Sequence, residues 1–332
     1  MTPLVEVTRG PVVESVHAGH IAVVDADGRP LLEVGEPQTP VFPRSAIKLI
    51  QALPLVASGA ADAFGYGAAQ LALACASHSG EPAHIETARS MLAKAGLDET
   101  CLACGGHWSL RQNALIAQAR RFDAKPGSIC NNCSGKHAGM LARCRHEDWP
   151  VAGYHLPDHK LQRSIAAMLA DLTGVAHDEA NRAVDGCSIP TYAVPLASLA
   201  RAFAAAFRSE PAAARLYRAA TAEPFHTAGT ARFCTDFMVA ADGAAYAKTG
   251  AEGVYCGWLA DPGIAIALKV ADGAGRASEV AFANVANAFL DRPDLASFES
   301  QAVTDWNGTP VGQVRLVPAI RERLLAAAGR TG

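Results

Sequence analysis

The sequence predicts a mixed α/β (α+β) chain: an antiparallel sheet drawn from strands at both ends, covered by helices, with a helical lobe between. Three observations predict it. Strand-like runs fill the first forty residues and return after about residue 243. The stretch between, about 43–242, has helical periodicity with helix starts and glycine stops. No Pro/Gly/Ser-rich linker, low-complexity tract or internal repeat interrupts the sequence, so 1–332 reads as one folding unit whose sheet comes from about 1–42 and 243–332.

Each element has a local reason. In His20–Gly35 the pair Asp27-Gly28 sits between two strand-like runs, a strong hairpin signal. Helices are expected from Pro82 to Ala95, closed by Gly96, from Leu110 to Arg121, from Lys160 to Leu172 before Gly174, and from Tyr192 to Phe207. Strand character resumes in Ala244–Gly250, Gly253–Trp258 and Gly263–Val270. A helix over about Ser278–Leu290, a strand over Gln313–Val317 and a helix over Ile320–Ala328 follow.

Composition narrows the function. Half of the 332 residues are hydrophobic and 18% are charged, as in an ordered globular protein. The net charge is −3 with no basic run, which argues against a nucleic-acid partner. Glu6 and Arg9 interrupt the N-terminal apolar residues, and no apolar run is long enough to span a bilayer, so a cytoplasmic protein without membrane contact is expected. The nine cysteines are expected as thiols, core or metal-bound, with Cys75, Cys144 and Cys256 in apolar, core-like surroundings.

The chemistry centres on Phe42-Pro-Arg-Ser45-Ala-Ile-Lys48. Pro43 discourages helix before it, Ser is a favoured helix start, and an apolar run follows. If Ser45 opens the helix, Ser45 and Lys48 share a face. A lysine held as the free amine can take a proton from a serine hydroxyl, which makes Ser-x-x-Lys a candidate nucleophile–base pair. An ordinary capping serine beside a solvent-facing lysine is the alternative. Lys248-Thr-Gly250, at the end of an expected strand, is the second part of the arrangement found in penicillin-recognising serine enzymes.

Three further strings carry polar groups at turns. Ala76-Ser77-His-Ser-Gly-Glu81 can place a second hydroxyl in a cleft or simply cap the helix begun by Pro82. Cys130-Asn-Asn-Cys133-Ser-Gly-Lys136-His137 joins a Cys-x-x-Cys to a Lys-His pair. A second Cys-x-x-Cys, Cys101–Cys104, makes a four-cysteine zinc site thinkable, but the segment between the pairs reads as helix rather than the short strands of a zinc ribbon. A redox dithiol lacks its preceding strand, and Ser-Gly-Lys lacks the glycine spacing of a phosphate loop. Asp185-Gly-Cys187 offers a carboxylate and a thiol to one centre, or is a plain Asp-Gly turn.

As an ordered set these strings resemble the Rhizobium-etli-type, or thermolabile, L-asparaginase family (asparaginase II). The matching stretches are Pro43–Lys48, Ala76–Glu81, Asn131–Gly139, Asp185–Pro190 and Lys248–Gly253, and the resemblance runs over nearly the whole chain. It implies a fold similar to serine β-lactamases and penicillin-binding proteins. It also implies hydrolysis of L-asparagine to L-aspartate and ammonia, and a homodimer. Ser45 with Lys48 and Ser77 with Lys248 match two Ser-Lys tandems. Lys269 competes for the second lysine but lacks the adjoining Thr-Gly. Cys133, Lys136 and Cys187, with Asp185 close by, match a zinc site. Arg44, His137 and Cys234 match positions lining the substrate pocket. A glutaminase or β-lactamase-like hydrolase on the same scaffold, or a non-catalytic zinc- or amino-acid-binding protein, stands as the alternative.

Overall fold

The computed structural model describes residues 1–330. The chain divides into two compact units: Met1–Ala46 with Val194–Arg208 and Phe237–Gly332, and Ile47–Ala193 with Ser209–Asp236. Its strands, in chain order, are β1 (Thr2–Arg9), β2 (Val12–Asp25), β3 (Pro30–Val34), β4 (Pro40–Val41), β5 (Arg182–Val184), β6 (Pro190–Tyr192), β7 (Val194–Pro195), β8 (Ala245–Gly250), β9 (Val254–Leu259), β10 (Ile264–Val270), β11 (Ser300–Thr304) and β12 (Pro310–Leu316).

The first unit is built on an eight-stranded sheet in the order β11-β12-β1-β2-β10-β9-β8, with β3 also paired to β2, and every pairing antiparallel. Both ends of the chain therefore build one sheet, with β2 held in register by β10 (Val23 opposite Ile266). The β2–β3 hairpin turns at Asp27-Gly28: Gly28 takes φ +81°, and the Asp25 carboxylate accepts from the N–H groups of Asp27 and Arg29. All of β9 is buried, because helices cover both faces. Phe282, on α12 (Gly275–Leu290), meets Tyr255 at 5.1 Å between ring centroids. Phe207, on α8 (Leu196–Ser209), stacks on Trp258 at 4.4 Å. Tyr255 and Trp258 stand on opposite faces by the two-residue period of a strand. Helix α13 (Pro318–Ala327) closes the chain.

The second unit is helical: α1 (Lys48–Ala57), α2 (Ala60–Ala63), α3 (Ala68–Ala74), α4 (Pro82–Lys94), α5 (Gln112–Arg121), α6 (Ser134–His146), α7 (Lys160–Thr173), α9 (Pro211–Ala222) and α10 (Pro224–Thr227). Helix α11 (Phe233–Ala241) begins here. At the centre lies α6, whose residues from Ser134 to Ala142 are all buried against α1, α3 and α4. Gly135 makes the approach to α3 possible. A Cβ there would lie 2.5 Å from the Leu73 carbonyl oxygen. Among the described residues no helix is long and apolar enough to cross a membrane.

The sequence reading needs four local corrections. Tyr192 belongs to β6, and α8 starts only at Leu196, because Pro190 and Pro195 hold the residues before them extended. Helix α5 starts at Gln112, not Leu110. The edge strand β11 and the short β5 were not foreseen. Finally, Ser45 does not cap α1. It lies inside a 3-10 turn, Arg44–Ile47, and the residue before the helix is Ile47, with no side-chain cap.

Candidate active site

In the second unit the site grows from the first residue of α1. The Lys48 side chain is fully buried, and a buried ammonium or amine must find polar partners. Its Nζ donates to the Ala76 carbonyl oxygen (2.5 Å), Ser77 Oγ (3.0 Å) and Cys133 Sγ (3.0 Å). Three motifs distant in sequence thus meet on one nitrogen. Ser77 follows the end of α3, and both of its backbone polar groups are hydrogen-bonded. Its N–H donates to the Thr227 carbonyl and its own carbonyl accepts from Arg232 Nη1 at 3.1 Å. The next N–H, of His78, donates to the Asn132 carbonyl.

Cys133 sits just before α6, its N–H donating to Asn131 Oδ1. The amide of Asn131 is itself fixed by the carbonyls of Cys104 and Gly105. Cys187 comes from the tight loop between β5 and β6, where Ser188 has φ +73° and the Asp185 carboxylate accepts from the Gly186 N–H. Lys136 Nζ donates to Cys187 Sγ at 3.1 Å, and Asp185 Oδ2 lies 3.9 Å from the same sulfur. A hydrogen bond from Cys133, helped by Lys136 and opposed by burial, holds the Cys187 thiol down to about 5. The same bond, with burial, pushes Cys133 up to about 12. Burial pulls the Lys136 ammonium down, but Cys187, Cys133 and Asp185 outweigh it and leave the group above its ordinary value. Among the described residues no three His, Cys, Asp or Glu side chains gather to hold a metal by themselves. The two thiols reach a third donor through Lys136.

His137, also on α6, is buried. Tyr154 Oη accepts from the Ala103 N–H and so donates to His137 Nδ1 (2.6 Å). This leaves the imidazole proton on Nε2, which has no hydrogen-bond partner. Burial and Lys136 lower the His137 pKa to about 3, so the ring is a neutral N–H donor. Cys234 is buried near the start of α11, two residues after Arg232.

The first unit holds Arg44, Ser45 and Lys248. Arg44 takes φ +50°, a strained conformation for a residue with a side chain, and Ser45 beside it is half-buried. Lys248, on β8, is buried and its Nζ donates to the Thr249 carbonyl at 2.7 Å. Gly250 ends the strand directly against the Ser45 turn. A Cβ there would lie 2.7 Å from the Pro43 carbonyl oxygen and 3.1 Å from the Ala46 nitrogen. Gly250→Ala should therefore cost about 1–3 kcal/mol of stability, read as a shift in denaturant midpoint, and depress activity through the displaced turn. Lys269, the other strand lysine, donates to the carbonyls of Glu252 (2.7 Å) and Val270 (2.5 Å).

The sequence reading passed over two residues. His78 lies within the Ala76–Glu81 string and Arg232 two residues before Cys234, but only the fold shows what they hold. A third buried group sets an acid limit. His84 stacks between His78 (5.0 Å) and Phe225 (4.4 Å), and burial lowers its pKa to about 4. The unfolded chain takes up this proton near 6.5, so between 6.5 and 4 only the unfolded state is protonated. The contribution to stability is complete above 6.5 and declines by about 3 kcal/mol as the pH falls to 4. His84→Gln should flatten that acid limb when unfolding midpoints are measured from pH 7 to 4.

Buried hydroxyl, amine and thiol groups on a mixed α/β scaffold are groups that a hydrolase of amide bonds can use. The chain is a member of the L-asparaginase II family, whose profile matches residues 5–316. Asparagine hydrolysis is the activity of that family. No curated protein matches the chain in sequence. Among solved structures, a β-lactamase from Mycobacterium bovis aligns with a TM-score of 0.38 and 15% identity, over 79% of this chain and 89% of that one.

Proposed function

We propose that this enzyme is an L-asparagine amidohydrolase working by Ser-Lys chemistry, releasing L-aspartate and ammonia. The observation that carries the reading is Lys48 Nζ on Ser77 Oγ in a buried site, in a chain of the asparaginase II family. Ser45 is the nucleophile: its oxygen bonds to the side-chain amide carbon while Lys48 accepts the hydroxyl proton. Ser77 and Lys248 pass a proton to the departing nitrogen, the C–N bond breaks and ammonia leaves. Water then attacks the aspartyl ester, its proton returning through the same amines, and Ser45 is regenerated. Arg44 suits the substrate carboxylate, since its planar guanidinium can bind both oxygens. The His137 Nε2–H and Cys234 line the pocket.

Zinc belongs to the same proposal. Cys133, Lys136 and Cys187 would hold it, with Asp185 beside them, because two sulfurs and an amine already converge there. A bound metal would supply positive charge to orient the substrate and brace the loops. Binding requires deprotonation of Cys133 and Lys136, so zinc affinity should fall as pH falls. Equilibrium dialysis should show at least about tenfold weaker zinc binding for Cys187→Ser. Unchanged binding in both the Cys187→Ser and Cys133→Ser proteins would remove these residues from the ligand set. A homodimer is the proposed assembly, to be checked by sedimentation.

The deciding assay is ammonia release from L-asparagine, with L-glutamine and a chromogenic β-lactam in parallel, on metal-replete protein at neutral to mildly basic pH. Turnover of asparagine alone supports the reading. Turnover of another substrate alone keeps the Ser-Lys chemistry and discards the substrate. Silence on all three, with asparagine binding retained, favours a binding protein.

A further inference from the structure

The structure assigns a positioning role to His78, a residue that touches none of the proposed reacting groups. The inference rests on the proposed part of Ser77 in the reaction. His78 is buried, and its backbone N–H and both ring nitrogens are hydrogen-bonded. Its backbone N–H donates to the Asn132 carbonyl (3.1 Å). Its Nδ1 accepts the Gly80 N–H (3.1 Å), so the imidazole proton is on Nε2. Nε2 in turn donates to Ser134 Oγ at 3.0 Å, at the first residue of α6. Stacking on His84, backed by Phe225, fixes the plane of the ring.

His78 thereby ties the residue after Ser77 to the residues on both sides of Cys133. Lys48 Nζ bonds to Ser77 Oγ and Cys133 Sγ, the same two loops, from the other side. The His78 ring adds a side-chain joint to the backbone bond at Asn132 and the shared Lys48 nitrogen, and the added joint leaves the two loops less freedom to shift against each other. The 3.0 Å spacing of Ser77 Oγ from Lys48 Nζ is then set by the imidazole and not by Lys48 alone. This role predicts a loss in turnover with little change in substrate binding.

Asparagine turnover by full-length His78→Asn, His78→Gln, Ser134→Ala and the His78→Asn/Ser134→Ala double variant tests it, with Ser77→Ala alongside and unfolding midpoints for each. Asn keeps the acceptor for Gly80 but cannot reach Ser134, while Gln carries an amide nitrogen at the position of Nε2. His78→Asn and Ser134→Ala should each lower kcat about tenfold or more with KM within roughly threefold. The double variant should be no worse than the poorer single variant, because both remove one bond. His78→Gln should recover most of the loss. Normal kcat in His78→Asn and Ser134→Ala beside an inactive Ser77→Ala overturns the inference alone, as do losses that multiply in the double variant. An unimpaired Ser77→Ala overturns the role of Ser77 and the inference with it. If His78→Asn does not fold, Ser134→Ala reads the same bond with a smaller change.

Discussion

Replacing Lys48 by methionine is expected to lower kcat by about 10³-fold or more, the range seen when a general base is removed. Methionine matches the length of the lysine stem and keeps the buried packing. It removes the amine shared by Ala76, Ser77 and Cys133. The folded state should survive, because a buried amine costs desolvation that a thioether does not, which offsets the carbonyl and hydroxyl left unpaired. Lys48→Arg should be as inactive as Lys48→Met. Arginine does not give up its proton and so cannot accept one from serine, and its fork does not fit the space of a lysine amine. A Lys48→Met enzyme retaining a tenth or so of normal kcat would remove Lys48 from the proton path.

The second large effect separates the serines. Ser45→Ala should lose about 10⁴-fold or more in kcat, as nucleophile deletions do, and Ser77→Ala about 10²- to 10⁴-fold, as loss of a proton relay does. Intact-mass measurement after mixing with asparagine gives an independent reading. Ser77→Ala, slow to deacylate, should accumulate an aspartyl ester on Ser45, and Ser45→Ala should show none. An ester on Ser77 in the Ser45→Ala protein would exchange the two roles.

How much of this was legible in the sequence depends on how local the cause is. The Asp27-Gly28 turn could be read directly, because two adjacent residues determine it. So could the strands of β8, β9 and β10, whose apolar runs are buried on both faces. The polar edge strand β11 could not, since its residues are largely exposed and only pairing with β12 makes it a strand. The Ser45 turn was misread because proline and serine signal a helix start equally well for 3-10 and α geometry, and the strain at Arg44 leaves no mark in the letters. At the site, motif order picked out Lys48, Ser77 and Cys133 separately. Their meeting on one nitrogen spans separations of 29 and 85 residues, which no local pattern encodes.

The arrangement of the sheet has a consequence for synthesis. Strands β1 and β2 leave the ribosome first, yet they lie in the middle of the sheet, between β12 on one side and β10 on the other. Until residues 264–270 and 310–316 have been made, this first hairpin has open edges with unpaired backbone groups. Meanwhile most of the helical unit, residues 47–193, has already been translated and can begin to fold from local contacts. The nascent chain therefore holds an unfinished sheet for most of its translation, the period in which edge pairing with another chain competes with the correct partner strands. A truncation that removes β12 would make that transient state permanent, leaving β1 as an open edge in a protein whose helical lobe is otherwise complete.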